Sequence, residues 1–195
     1  MKSCGKYFVD EIREVLHGRA RETVNYPSFL RAAVLVPLFE KDGSCHILFT
    51  VRSHQVKHHK GQISFPGGVF DDEDEDLKRT ALREVFEEIG VKERDVQVLG
   101  ALDDIVTSSE FVVTPFVGVI PYPYSFRLSM DEIAELIEVP LASLLDLTSF
   151  AEREITDNDL KRVVESYQHG QHIIWGATAR ILKQFLGVIA HPEST

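Results

Sequence analysis

Phe8, Ile12, Val15 and Leu16 recur at helical spacing and predict a first helix near Tyr7–His17. Ala32–Phe39 and His46–Val51 read as strands joined by a turn containing Asp42-Gly43. Ile63–Phe65 predicts a short strand, stopped by Pro66-Gly67-Gly68. A helical period then holds from about Asp76 to Ile89, with Gly90 placed to cap its C-terminus. Val96–Val106 and Val112–Ile120 predict strands, and Leu141–Leu145 a short helix. Arg162–Ser166 and His172–Trp175 read as extended, and Ala177–Leu186 as a closing helix. Strands alternating with few, well-separated helices predict an α/β chain whose mixed sheet is covered on both faces. No repeat or Pro/Gly-rich seam divides residues 1–195, so one domain is expected.

Composition narrows the function classes. With 21 Lys and Arg against 31 Asp and Glu, the net charge is −10. Such a surface repels a phosphate backbone, which argues against a nucleic-acid partner. It also repels any anionic substrate unless cations intervene. No apolar stretch is long enough to span a bilayer. Asp10, Glu11 and Glu14 interrupt any signal-like core, and the final residues carry no peroxisomal address, so a cytoplasmic protein is expected. Cys4 and Cys45 lack Cys-x-x-Cys spacing and suggest neither a disulfide framework nor a zinc site, and Cys45 is expected in the core.

The chemistry concentrates between Gly67 and Val91. At ~100° per residue, Glu84, Glu87 and Glu88 share one arc of the helix. Ala81, Leu82, Val85, Phe86 and Ile89 occupy another, expected to face the core. Like charges at this spacing destabilise a helix by a few tenths of a kcal/mol per pair. They also lie near the end where the helix dipole disfavours anions. A divalent cation removes both costs, and hard oxygen ligands suit Mg2+ or Mn2+. Arg83, four residues before Glu87, is placed to orient it by a salt bridge. Upstream, Pro66-Gly67-Gly68 lets backbone approach a ligand.

This segment resembles the Nudix box. Gly68 matches its opening glycine, and Arg83 to Val91 match its closing half in full. The position six residues after Gly68 is Asp74 rather than Glu, with eight residues between it and Arg83. Either Asp74 or Glu75 supplies the first acid. This offset, together with Leu48–Ser53, His59, Gly61, Gln62 and Phe65–Gly68, resembles the coenzyme A pyrophosphatase-like branch. Leu99–Asp103, Val113-Thr114-Pro115, Glu138–Leu141 and Ile174–Ala179 extend the likeness over roughly residues 30–186.

The resemblance implies a Nudix-type α/β/α sandwich with a mixed β-sheet. It also implies metal-dependent hydrolysis of the pyrophosphate of coenzyme A or a derivative, giving adenosine 3′,5′-bisphosphate and 4′-phosphopantetheine. Gly68 through its carbonyl, Glu84, Glu87 and Glu88 are the expected metal ligands. Glu84, Glu87 or the downstream Glu132 is the expected general base. Arg52 is a candidate for the 3′-phosphate or the diphosphate, because guanidinium binds phosphate bidentately. His59 and Gln62 are further substrate candidates. A zinc cluster of His54, His58 and His59 lacks the expected acid and thiol partners. Asp71–Asp76 reads as a solvated acidic loop, and Trp175 as core. Another diphosphate such as ADP-ribose, or a non-catalytic nucleotide sensor, is the alternative reading. The oligomeric state is open, a homodimer included.

Overall fold

The computed structural model describes residues 4–55, 60–157 and 160–190. Helix α1 (Lys6–Gly18) leads by an extended segment into strands β1 (Leu30–Lys41) and β2 (Ser44–Arg52). Asp42 and Gly43 join them with φ of 51° and 71°, the left-handed pair that a two-residue hairpin turn requires. Strands β3 (Ile63–Ser64) and β4 (Gly67–Val69) precede helix α2 (Leu77–Ile89). Then come β5 (Gln97–Ala101), β6 (Ile105–Val106), β7 (Phe111–Val119), β8 (Ile133–Pro140) and helix α3 (Leu141–Leu145). Strands β9 (Phe150–Asp157), β10 (Leu160–His169) and β11 (His172–Trp175) lead into helix α4 (Gly176–Ala190).

The main sheet has eight strands, its path running β3-β2-β1-β7-β5 with β4, β6 and β8 attached to β1, β7 and β2. It is mixed: β1 runs parallel to β7 and antiparallel to β2. Strands β9, β10 and β11 form a separate antiparallel sheet. Alternation along β1 sends Ala32, Val36 and Leu38 to one face, against Phe8 and Ile12 of α1 and Leu182 and Phe185 of α4. Leu35 and Phe39 go to the other face, against Val85 and Ile89 of α2. This is the expected α/β/α layering. Among the described residues no helix is long and apolar enough to cross a membrane.

Several sequence readings need correction. The expected strand Val96–Val106 is two strands, because Leu102 turns to donate to the Pro115 carbonyl (2.8 Å). The break leaves the Asp103 and Asp104 carboxylates to pair with Arg19 (2.8 Å) and Arg21 (2.5 Å). Cys45 is buried as expected, but it is disulfide-bonded to Cys4. The bond links residues 41 apart in sequence, which only the packing of the segment before α1 against the start of β2 brings together. Trp175 is half-buried, since β11 lies in the smaller sheet and buries Ile174 instead. Phe86 is 53% exposed, because α2 turns its core-facing stripe through Leu77, Ala81, Val85 and Ile89.

Candidate active site

Helix α2 is fixed at both ends. Asp76 caps it, its side chain accepting from Arg79 N at 2.8 Å. Gly90 closes it in the left-handed region (φ 76°) and donates to the Phe86 carbonyl at 2.9 Å. The next open carbonyls receive the loop before β8: Arg127 N donates to Ile89 O at 3.0 Å, and Ser129 N to Glu88 O at 2.9 Å. Two elements distant in sequence are thereby locked together. Glu132 follows directly, its N–H donating to Ser129 O and its carbonyl accepting from Ser53 N at 2.7 Å.

Strand β4 lies along β1, pairing Gly68 with Ala33 and Gly67 with Val34. Gly67 has φ of 154°, and a Cβ there would overlap the Ala33 carbonyl oxygen. Its N–H donates to Glu88 Oε2 at 3.2 Å. A Cβ on Gly68 would overlap the Glu84 carboxyl group. The two glycines therefore do different things: the first lets β4 reach β1, and the second makes room for a carboxylate.

Arg83 ties the acidic loop to the helix. Its Nε donates to Asp74 Oδ1 and its Nη2 to Asp74 Oδ2, both at 3.0 Å. Nη1 reaches Glu84 Oε1 at 2.8 Å and Glu87 Oε2 at 3.1 Å, and Nη2 also donates to the Val69 carbonyl at 3.0 Å. Asp74, not Glu75, is thus the acid that answers the box arginine. Those hydrogen bonds hold the Asp74 carboxyl down at about 2. The run Asp71–Asp76 is more than a solvated loop, since Asp74 is buried against α2 and Asp76 caps it.

The three helix glutamates differ. Glu87 is exposed, whereas Glu88 is 2% exposed, on the buried side of the helix rather than on the open arc expected. Among the described residues its carboxylate has the Gly67 N–H as its hydrogen-bond partner and no paired cation. Burial pushes its pKa up to about 8, with Glu84 and Glu132 adding to the rise and Arg52 opposing it. Burial also raises the Glu84 carboxyl, and Glu87 and Glu132 add to that rise. Glu84, Glu88, Glu132 and Arg52 therefore lie in one electrostatic neighbourhood. Arg52 ends β2 with its Nε buried and without a hydrogen-bond partner. Its backbone is held by Gln62 O and Gly61 N, both at 3.0 Å, which sets Gln62 beside it. His58 and His59 lie outside the described residues.

Among the described residues no three Asp, Glu, His or Cys side chains already converge closely enough to hold a metal. Arg83 instead spans Glu84 and Glu87. The donor set still fits a hard divalent cation. Glu88 is a buried carboxylate lacking a paired cation, which is costly unless a charge joins it. Gly68 keeps space open against Glu84, and every side-chain donor is oxygen.

A NUDIX domain matches residues 29–159. The chain belongs to the Nudix family. This Nudix hydrolase is 40% identical over 153 residues to an uncharacterised Nudix hydrolase, NudL, of Photorhabdus laumondii, covering 78% of this chain and 81% of that one. It is 35% identical over 179 residues to an uncharacterised NudL of Escherichia coli, covering 91% of each. The solved structure of a MutT/nudix family protein from Enterococcus faecalis superposes with a TM-score of 0.54 at 14% identity, covering 97% of this chain and 76% of that one. RenU, a Nudix hydrolase from M. smegmatis, superposes with a TM-score of 0.50 at 20% identity, covering 60% and 74%. These structural likenesses concern the fold. Nudix hydrolases act with divalent metal ions on small nucleotide-derived compounds.

Proposed function

We propose that this Nudix hydrolase cleaves the pyrophosphate of coenzyme A or a derivative, using Mg2+ or Mn2+ held by Glu84, Glu87, Glu88 and the Gly68 carbonyl. The observation that carries the site assignment is Glu88: a buried carboxylate without a paired cation, next to Glu84, Glu132 and Arg52. The substrate assignment rests on the likeness of Leu48–Ser53 and Gly61–Gly68 to the coenzyme A branch. In support, Arg52 of the first segment lies in the field of Glu88, and Gly67 of the second donates to it.

The bound cation would supply charge neutralisation for the diphosphate and lower the pKa of the attacking water. The protein's part is positioning and electrostatics. Water attacks one phosphorus, the bridging P–O bond breaks with its electron pair leaving on the departing phosphate, and the water proton passes to a carboxylate. Glu132 is the candidate for that proton. Arg83 holds Glu84 and Glu87, and Gly67 N–H holds Glu88, whereas the Glu132 carboxylate has no partner among the described residues. Arg52, in the field of Glu88, is proposed to hold the diphosphate, and Gln62 and His59 to complete the substrate contacts.

The test is a product assay with coenzyme A and Mg2+ or Mn2+, with and without chelator. Chelator-sensitive release of adenosine 3′,5′-bisphosphate is the expected result. Folded protein that leaves coenzyme A intact but cleaves ADP-ribose or a dinucleotide would overturn the substrate. Nucleotide binding without turnover would make the protein a sensor.

A further inference from the structure

Phe86 has no place in the chemistry above. It is a large aromatic side chain on the box helix, one residue before Glu87, and 53% exposed. With Glu87, Lys92, Tyr124, Arg127 and Ser129 it lines a cavity of about 580 Å3 between the C-terminal end of α2 and the loop before β8.

The walls are prepared. Tyr124 donates from its hydroxyl to Asp95 at 2.8 Å and accepts from Lys92 N at 3.2 Å, which fixes its ring. Arg127 and Ser129 are pinned to the last carbonyls of α2. The charged ends of Lys92 and Arg127 have no carboxylate partner among the described residues, in a chain of net charge −10. Glu87, the carboxylate on the wall, is paired with Arg83. The cavity therefore offers an aromatic face and two available cations, with Glu87, a proposed metal ligand, on its wall.

A second cavity, about 700 Å3, lies on the other flank of α2 around Lys78. It too holds aromatic rings and cations, Tyr26, Phe29, Arg31 and Lys78 among them, but its lining includes none of the proposed metal-binding glutamates.

We infer that the cavity at Phe86 binds the 3′-phosphorylated adenosine end of the substrate, with Phe86 stacking the base and Arg127 and Lys92 holding the 3′-phosphate. This rests on the coenzyme A reading above. Arg52, in the field of Glu88, is committed to the reacting diphosphate, so the third phosphate needs cations of its own. Guanidinium holds a phosphate monoester bidentately, and base–aromatic stacking is tolerant of small displacements.

The experiment compares full-length protein on coenzyme A and on dephospho-coenzyme A, which has the same diphosphate but lacks the 3′-phosphate. Wild type is expected to prefer coenzyme A in kcat/KM by about 10-fold or more. In Arg127→Gln/Lys92→Gln that preference should collapse toward one, through KM for coenzyme A. Phe86→Ala should raise KM for both compounds alike, since both carry adenine. Circular dichroism and thermal melts verify folding, and Arg127→Lys should restore part of the preference. A folded double variant that keeps the wild-type preference, or no preference in wild type, would overturn the inference and leave the coenzyme A activity standing. Failure to cleave either compound would overturn both.

Discussion

Arg83 grips Asp74 with two parallel hydrogen bonds, Nε to Oδ1 and Nη2 to Oδ2, each 3.0 Å long. The same guanidinium reaches Glu84 and Glu87. One cation thereby closes the acidic loop onto α2 and fixes the directions of two carboxylates.

Removing that grip should cost stability in a pH-dependent way. The folded-state pKa of Asp74 is lowered from 3.8 to about 2, so its contribution is present above 3.8 and lost as pH falls through about 2. Asp74→Asn is expected to lose on the order of 1–3 kcal/mol at pH 6, the scale of hydrogen bonds to charged groups. Its thermal melts should approach those of wild type as pH nears 2. A gap that stays constant across that range would show that Asp74 acts by shape alone.

Glu88→Gln separates fold from function. The buried carboxylate carries a desolvation cost that the amide avoids, so the metal-free variant should melt no lower than wild type at pH 8. Its kcat should fall by roughly 100-fold or more, the scale of losing one electrostatic group. Mg2+ or Mn2+ should raise Tm in wild type much more than in the variant. Turnover like that of wild type would remove Glu88 from the metal site.

The two glycines of β4 predict opposite outcomes for one substitution. Gly67→Ala meets the Ala33 carbonyl at φ 154° and should lose on the order of 1–3 kcal/mol, seen as a lower Tm. Gly68→Ala meets the Glu84 carboxyl instead, at an ordinary φ. It should lower kcat by about 10-fold or more, since ångström-scale misplacement is costly in catalysis, with a smaller change in Tm. Equal effects on both measures would dissolve the division of labour between them.

Arg52→Ala is expected to raise KM for coenzyme A more than it lowers kcat. Its guanidinium lies in the field of Glu88, and its Nε has no hydrogen-bond partner among the described residues for the substitution to break. Steady-state kinetics decide the matter: an unchanged KM would take Arg52 out of the substrate site.

The box helix and the reach of Arg83 to Glu87 could be read from the sequence because period and charge coincide over Arg83–Gly90, whereas the burial of Glu88 could not. The hairpin at Asp42-Gly43 was equally legible, since few residue pairs accept left-handed backbone twice in succession. Strand β8 was not. Ile133, Leu136 and Ile137 recur at helical spacing among Ala and Glu, and only the ladder to β2 makes the segment extended. Strand β4 has almost no side chains to read, and exists through its pairing with β1. The exposure of Phe86 depended on the roll of α2 about its axis, to which a 100° apolar arc gives only an approximate answer. The choice between Asp74 and Glu75 depended on where a loop closes, and spacing alone does not encode that.

The Asp74–Arg83 contact also explains why the stretch between Gly68 and Arg83 tolerates a residue more than the usual box. The loop must deliver one carboxylate to one guanidinium, and many backbone paths do so. Helix α2 has no such latitude: a single insertion between Arg83 and Glu88 would swing the later carboxylates by ~100° about the axis. Length variation in this protein's lineage should therefore collect in residues 70–75 and stop abruptly at the first turn of the helix, and an engineer adding a tag or a reporter to the box has that loop, and little else, to work with.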